Sequence, residues 1–349
     1  MRLSLESLRR EADATGFRPE VLEKVFLLLD LLEAINQHPT LNGRLALKGG
    51  TALNLFLFNA PRLSVDIDLN YIIKSEYISS PEEAAGEENQ REENSVGREA
   101  MLAERPGIEQ AIELIARRLG LAPQTPKAPQ HAGRSWTLRY PSALGGSGNL
   151  KIDLVYTLRL PLWPPVRKDS ILVGSKQATG ILVLDDHELA GGKLVALLAR
   201  RTSRDLFDAH KLLREYSLDA ARLRLAFVLY GAMNPEDWRT ITTDDIGPAT
   251  RDLETYLRPL LRIGQFAAGE EDLTQWGARL VAEVREALTA VLPLRENEMA
   301  FLNSLLNDGQ IEPTHLTTDA ALAQIIRRHP ALLWKAHNVQ SHMRKKKAQ

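Results

Sequence analysis

Two aspartates, Asp66 and Asp68, stand two residues apart in Arg62-Leu-Ser-Val-Asp-Ile-Asp-Leu-Asn, where apolar and polar residues alternate. Alternation with a period of two is typical of a strand, so both carboxylates should leave the same face. Carboxylate oxygens are the ligands that Mg²⁺ or Mn²⁺ prefers, and Asp153, in a later alternating segment, is the candidate third ligand. A pair of such ions would activate an attacking hydroxyl and stabilise leaving pyrophosphate during in-line displacement at an α-phosphorus.

A glycine pair stands just upstream, in Leu45-Ala-Leu-Lys-Gly-Gly-Thr-Ala-Leu. The pattern predicts a short buried strand over 44–47, a sharp turn at the glycines and a helix over 51–58. Phosphate oxygens bind at such a turn because glycine permits close approach and a helix N-terminus favours negative charge. We predict a triphosphate site here, to which Thr51 could add its hydroxyl as a donor. The residues assigned to this site are Lys48, Gly49, Gly50 and Thr51.

The elements that must position these motifs indicate two domains in a chain of 349 residues, with a boundary near Leu184. Residues 1–184 are predicted to form an α/β (α+β) unit around a short mixed sheet. Residues 185–349 are predicted to form a mainly helical unit. Asp185 and Glu188 have the spacing of a capping box and should open a helix that runs to about Arg201.

Periodicity predicts the remaining elements. In the first unit, helices are expected over 18–36 and 107–119, strands over 135–140 and 149–158, and a solvated helix or mobile insertion over 80–104. In the second unit, further helices are expected over 218–230, 249–263, 272–291, 296–307 and 319–327.

Composition limits the classes of function. Lys and Arg total 44 against 45 Asp and Glu, so any nucleic-acid site must be a local basic patch. The chain has no cysteine, which excludes disulfides, thiolate zinc sites and a cysteine nucleophile. No run approaches the roughly 18 apolar residues of a membrane span. We therefore expect a soluble cytoplasmic protein with no membrane partner.

Four motifs follow one another along the chain: Lys48-Gly-Gly-Thr-Ala-Leu, Arg62-Leu-Ser-Val-Asp-Ile-Asp-Leu, Lys151-Ile-Asp-Leu, and the long helical stretch from Glu188 to Asp208. In this order they resemble the AbiEii (abortive infection) nucleotidyltransferase toxins, including the MenT-like branch, of the DNA polymerase β-like nucleotidyltransferase superfamily. The resemblance covers roughly residues 20–215. It implies the toxin of a toxin-antitoxin system with a cognate antitoxin protein, which uses nucleoside triphosphate and magnesium, with tRNA acceptor ends as one kind of target.

The resemblance also implies roles for individual residues. Lys193 matches the helix lysine of the family and would be a counter-charge to the triphosphate, while Asp208 would position Lys193 or act near the attacking hydroxyl. One departure from the family is Gly191-Gly192, where helix formers are more usual, and this puts the regularity of the helix in doubt. The glycine turn of the family falls on Gly49, Gly50 and Thr51, its metal carboxylates on Asp66, Asp68 and Asp153, and its Arg-Asp-x-x-Asp element on Arg204, Asp205 and Asp208, with Arg204 assigned to the nucleotide.

Each feature also has a purely structural interpretation. An Asp-x-Asp pair can be a solvated strand edge, and Asp153 can simply pair with Lys151. The basic residues near 200 can form a salt-bridged helix surface or, together with Lys193, a local groove for RNA. Ser64 lies one strand period from Asp66, and its phosphorylation would oppose triphosphate binding.

The function predicted from the sequence is magnesium-dependent transfer of a nucleoside monophosphate to RNA. The expected acceptor is the 3′ end of tRNA, where the added nucleotide would block aminoacylation and stop translation. One alternative is nucleotidylation of a protein hydroxyl by the same chemistry. The other is a nucleotide-binding interaction protein that has no catalytic activity.

Overall fold

A mixed seven-stranded sheet lies at the centre of the first part of the chain, in a computed structural model that describes residues 4–74, 87–124, 133–247, 250–264 and 272–347. The strands are Leu45–Lys48 (β1), Asp66–Tyr71 (β2), Ala122–Pro123 (β3), Gly133–Pro141 (β4), Ser147–Val155 (β5), Val166–Lys168 (β6) and Ile181–Val183 (β7).

The strands lie in the order β3-β4-β5-β2-β1-β7-β6. The two strands that carry the acidic motifs, β2 and β5, are parallel neighbours at the middle of the sheet. β1 is antiparallel to β2 and parallel to β7. The predicted pairing of the alternating segments near 135 and 150 is confirmed, since β4 and β5 are antiparallel neighbours.

Helices surround this sheet and form most of the second part of the chain, so the predicted α/β class is confirmed. They are Leu5–Thr15 (α1), Pro19–Gln37 (α2), Gly49–Ala52 (α3), Glu87–Arg118 (α4), Asp186–Arg200 (α5), Ser203–Glu215 (α6), Ala220–Ala232 (α7), Thr250–Asp252 (α8), Leu273–Ala287 (α9), Glu296–Asn303 (α10), Ala320–Arg328 (α11) and Pro330–Lys347 (α12). Within the described ranges, no helix is both long and apolar enough to cross a membrane.

Several predicted boundaries agree with the structure and others do not. The helix expected over 249–263 is composite, because α8 continues as a π-helical turn over Leu253–Leu257 and a 3₁₀ turn over Arg258–Leu260. The edge strand β6, its neighbour β7 and the last helix α12 were not predicted. The insertion expected over 80–104 overlaps α4 from Glu87 onward, and its earlier residues lie outside the described ranges. The division of the chain near Leu184 falls between β7 and α5 and stays a prediction.

The fourth helix starts much earlier than expected. It was predicted over 107–119, whereas α4 begins at Glu87 and runs through Pro106. Proline removes one backbone donor from a helix and is therefore normally read as a boundary. Here buried apolar residues lie on both sides of it, Met101 before and Ile108 after, so packing holds the helix together across the proline.

The capping box expected at the start of α5 is only half present. Asp185 is the N-cap and accepts a hydrogen bond from the backbone of His187 at 2.9 Å. Glu188 does not reach back to Asp185; it is buried and accepts from the Trp163 backbone at 3.1 Å and from the Tyr230 hydroxyl at 2.8 Å. Burial raises the pKa of Glu188 to about 7, against the lowering effect of these hydrogen bonds. Tertiary partners have replaced the local one.

The two glycines in α5 do not interrupt the helix, contrary to the doubt raised by the sequence. Gly191 lies against α7, where an added Cβ atom would be 2.7 Å from Ala226 Cβ and 2.9 Å from Phe227 N. No other atom lies within 4 Å of the Cβ position at Gly192. Glycine at 191 therefore permits close contact between two helices, which explains its presence in the middle of α5.

This difference gives a matched pair of variants. Gly191→Ala should lower the free energy of unfolding by about 1 to 3 kcal/mol, because the methyl group overpacks the α5–α7 contact. Gly192→Ala should raise it by up to about 1 kcal/mol, because alanine favours the helix. Urea unfolding of the two variants and the parent chain measures both effects, and equal effects at the two positions would contradict the packing explanation.

Candidate active site

The predicted carboxylates lie together on one face at the middle of the sheet. Asp66 and Asp68 are partly exposed on β2, while Ile67 between them is buried on the opposite face. Asp68 is in register with Asp153 on β5 and with Lys48 on β1. The three adjacent strands therefore present a row of a lysine and two carboxylates.

The charges in this row perturb one another. Burial raises the pKa of Asp68, Asp153 and Asp66 raise it further, and Lys48 opposes the change. Burial lowers the pKa of Lys48, against the attraction of Asp68 and Asp153. The raised pKa of Asp68 shows that negative charge is concentrated in this row, and a bound cation would relieve it.

The third carboxylate is held by protein groups. Asp153 accepts hydrogen bonds from the Ser135 hydroxyl and from Lys151 Nζ, the latter at 2.5 Å, so the structural interpretation of Asp153 as a partner of Lys151 is also met. In the described part of the chain, no three acidic or histidine side chains are grouped closely enough to hold a metal ion. The oxygen donors of Asp66 and Asp68 suit Mg²⁺. Asp153 would join them only after turning away from Lys151, whose side chain is 53% exposed.

The glycine turn packs directly against these carboxylates. Gly49 has a φ of +71°, and a Cβ atom there would lie 2.2 Å from Asp68 Oδ2. A Cβ atom at Gly50 would lie 2.9 Å from a guanidinium nitrogen of Arg62. Residues with side chains are therefore excluded from both positions, the first by backbone conformation and contact, the second by contact alone.

The predicted role of the Thr51 hydroxyl is not supported by its position. Thr51 is fully buried, and its hydroxyl donates to the backbone carbonyl of Asp66. Its side chain ties the short helix α3 to the start of β2 and does not face the cleft. Only the backbone of Thr51 is left for the predicted phosphate contact, because the hydroxyl already has a buried partner.

A buried cluster of charges lies behind the glycine turn. Asp208 on α6 is 0% exposed and accepts from Arg62 Nε at 2.8 Å and Arg62 Nη2 at 2.6 Å. Lys193 Nζ on α5 lies 2.9 Å from Asp208 and 2.7 Å from Asp205. Asn54 donates to Asp208 at 3.0 Å. We call this set of five side chains the buried charge cluster.

Two roles were predicted for Asp208, which were to position Lys193 or to act near the attacking hydroxyl. Both oxygens of Asp208 are engaged by buried partners and the side chain has no exposed surface, which favours the role of positioning Lys193. Burial alone would raise the pKa of Asp208, but the positive charges of Arg62 and Lys193 lower it. Arg62 and Asn54 were not predicted as site residues. Their sequence signal is weak, because the partner they share lies more than 140 positions away.

The basic residues near 200 separate into different surroundings. Arg204 is 39% exposed and lies 3.5 Å from Asp66 Oδ2, at the mouth of the site. Arg200 pairs with Asp205 at 3.2 Å, and Arg201 pairs with Asp245 at 2.9 Å. Of the predicted basic groove, Arg204 forms the direct ion pair with a β2 carboxylate, while the buried Lys193 lowers the pKa of Asp68 without contacting it.

The serine considered as a phosphorylation site lies next to the glycine turn. Ser64 is buried, and its Oγ would lie 3.1 Å from a Cβ atom at Gly50. It precedes β2 and is not part of the strand. A phosphate there would displace the turn, and the regulatory role of Ser64 stays a prediction.

The chain is similar to a known protein family and to a solved structure. The model of the family described as nucleotidyl transferase AbiEii toxin, type IV toxin-antitoxin system, matches residues 30–296. Among solved structures, MenT4, a nucleotidyltransferase toxin of Mycobacterium tuberculosis H37Rv, matches with a TM-score of 0.54 and 18% identity, over 95% of this chain and 99% of that one. At this level of sequence identity, the structural match shows similarity of fold alone. No curated protein matches the sequence.

The buried charge cluster predicts a large loss of stability when Asp208 is removed. Asp208→Ala leaves Arg62 and Lys193 buried without this partner, and should lower the free energy of unfolding by about 3 to 5 kcal/mol. Glu215→Ala removes an exposed carboxylate from its i,i+4 pair with Lys211, so its cost should be about 1 kcal/mol or less. Urea unfolding at neutral pH measures both variants. Similar losses would show that the cluster does not stabilise the fold.

The stability difference between the parent chain and Asp208→Ala should depend on pH. Because the pKa of Asp208 is lowered in the folded state, its contribution is fully present above the unfolded pKa of about 3.9 and is lost as the pH falls through the folded value. The difference in unfolding free energy between the parent chain and Asp208→Ala should therefore shrink below about pH 4. A constant difference between pH 7 and pH 3 would contradict the assigned charge state.

Proposed function

We propose, because the chain belongs to the AbiEii family of nucleotidyl transferase toxins, that it moves a nucleoside monophosphate from a nucleoside triphosphate to an RNA acceptor. The chain is a nucleotidyltransferase of a type IV toxin-antitoxin family. The identity of the acceptor as RNA is what we propose beyond this. The observation that supports this chemistry is the row of Lys48, Asp68 and Asp153, with Gly49 packed against its central carboxylate.

The donor set supports one assignment of roles. Asp66, Asp68 and Asp153 would hold Mg²⁺, which when bound offsets the charge of the triphosphate and favours ionisation of the acceptor hydroxyl. The backbone amides of the glycine turn would bind phosphate oxygens, because this turn lets a ligand approach the main chain closely. Arg204 would add a mobile positive charge from the mouth of the site.

In the reaction, the acceptor oxygen attacks the α-phosphorus of the triphosphate. A new P–O bond forms, the bond to pyrophosphate breaks with its electron pair leaving on pyrophosphate, and the proton of the acceptor hydroxyl passes to solvent. Lys193 and Asp208 act as positioning residues, since they hold Arg62 and thereby the glycine turn in place. Lys48 lies beside Asp68 and can balance its charge before the nucleotide arrives.

We take the 3′ end of tRNA as the acceptor. A nucleotide added there would block aminoacylation and stop translation, which explains how one transferase can act as a toxin. The reaction would take place in the cytoplasm, where tRNA and nucleoside triphosphates meet, and a cognate antitoxin would limit it. The nearly equal numbers of basic and acidic residues suit recognition through local contacts and not through a general attraction to RNA.

The acceptor can be tested with purified protein, total cellular RNA, Mg²⁺ and each labelled nucleoside triphosphate in turn. Label should enter the tRNA fraction with at least one nucleotide, and chelation of the metal should stop it. Asp66→Ala should reduce the rate at least about a hundredfold, because a metal carboxylate contributes several kcal/mol to the transition state. Asp308→Ala, an exposed carboxylate outside the site, is the matched control.

Three results would redirect the proposal. Label in protein and not in RNA would favour nucleotidylation of a protein hydroxyl. Label in RNAs other than tRNA would retain the reaction and replace the acceptor. Full activity of Asp66→Ala would remove the carboxylates of β2 from the reaction altogether.

The glycine turn gives a second test of the site. Gly49→Ala should reduce the transfer rate about a hundredfold, because its methyl group would displace the Asp68 carboxylate by an ångström or more. Gly43→Ala is the control, since Gly43 has a φ of +72° but no other atom within 4 Å of its Cβ position. Both variants carry the same backbone strain, so an equal loss of activity would exclude the contact with Asp68 as its cause.

A further inference from the structure

Three arginines surround a small cavity outside the carboxylate row. Arg18 precedes α2, while Arg258 and Arg262 belong to the turn that follows α8. They line a cavity of about 120 Å³ together with Leu261, Ile263 and Gly264. We call Arg18, Arg258 and Arg262 the arginine pocket.

Among the residues that the structure describes, the three guanidinium groups of this pocket have no acidic partner. Across the described ranges, no carboxylate lies within ion-pair distance of any of the three guanidinium groups. Three unpaired guanidinium groups around one cavity repel one another, so the binding of an anion there is favoured.

One of the three arginines is fixed in place. The Arg262 guanidinium stacks on the Phe17 ring, 4.4 Å from its centroid, and donates to the backbone carbonyl of Thr15. The backbone amide of Ile263 donates to the Gly16 carbonyl at 2.6 Å. These contacts join the turn to the end of α1 and orient the cation before any ligand binds. A ligand therefore meets a site with little side-chain entropy left to lose at Arg262.

The turn that carries two of these arginines is attached to the catalytic strand. The backbone amide of Leu63 donates to the Leu260 carbonyl at 2.9 Å, and Leu63 lies three residues before Asp66. At the start of the same segment, Asp252 of α8 accepts a hydrogen bond at 2.5 Å from the backbone amide of Ser203, the neighbour of Arg204. At about 3.5 Å per extended residue, the path from Asp66 through Leu63 to Arg262 spans at most about 25 Å.

We propose that the arginine pocket binds a backbone phosphate of the acceptor RNA, a few nucleotides from the hydroxyl that reacts. This inference rests on the proposed function, which requires an RNA strand to end at the carboxylate row. Arginine suits this task because its planar guanidinium group binds phosphate through two parallel hydrogen bonds. Contacts to phosphate set the position and affinity of the strand and carry no sequence information.

The test uses the full chain and measures binding of end-labelled bulk tRNA by fluorescence anisotropy over a series of salt concentrations. The double variant Arg18→Gln with Arg258→Gln should raise the Kd about tenfold, since each lost contact is a charge-assisted hydrogen bond. It should also reduce the slope of log Kd against log salt by up to about 0.7, the value for one phosphate contact on a single strand. Arg262 is left intact because its contacts with Phe17 and Thr15 also support the fold.

The double variant Arg117→Gln with Arg118→Gln is the matched control, because it removes two exposed positive charges from α4 that do not line the pocket. It should change neither the affinity nor the slope by as much as the pocket variant. The thermal unfolding midpoint of all variants should equal that of the parent chain. In the transfer assay, the pocket variant should raise KM for tRNA and leave kcat unchanged at saturating RNA.

The remaining outcomes separate this inference from the proposed function. If the parent chain labels no RNA, the proposed function fails, whatever the pocket binds. If the parent chain labels RNA and the pocket variant binds and labels it equally well, the pocket inference alone is overturned. Calorimetry with inorganic phosphate or pyrophosphate tests whether the pocket is a site for free anions. If the pocket variant loses phosphate binding but binds RNA as tightly as the parent chain, the inference is overturned. Loss of poly-L-glutamate binding with unchanged RNA affinity would do the same and favour an acidic protein partner.

Discussion

The buried charge cluster around Asp208 is the interaction on which the geometry of the site depends. Removing Asp208, Arg62 and Lys193 from water is costly, and only mutual pairing with good geometry offsets that cost. Asp208 meets this condition by accepting from both partners and from Asn54. The cluster joins the chain before β2 to the helices α5 and α6, so the catalytic strand cannot move independently of them.

The glycine turn is fixed by the cluster on one side and by the carboxylates on the other. Gly50 lies against Arg62 and Gly49 lies against Asp68, each too close for a side chain. Thr51 ties the same turn to β2 through its hydroxyl. These contacts fix the position of the backbone amides without a ligand, so an anion that bound there would lose little free energy to ordering of the turn.

The sequence predicted the parts of the site that depend on local pattern. Alternation placed Asp66 and Asp68 on one strand face, and the glycine pair marked the turn, because both signals involve neighbouring residues. Contacts between distant segments left no such signal. Arg62 finds its partner on α6, and Glu188 leaves its predicted cap for Tyr230. The helix α4 crosses a proline for the same reason, since tertiary packing overrides a local preference.

Positive charge in the site is divided between a buried lysine and exposed arginines. Lys193 is enclosed by carboxylates, so its charge stabilises the site from within and does not attract RNA. Among the cations exposed to a polyanion are Arg204 at the carboxylate row and the three arginines of the arginine pocket. With 44 basic and 45 acidic residues, attraction at long range is weak, so these few local charges must orient the acceptor. Two points of contact along one strand define a direction, which a single cluster of charge would not.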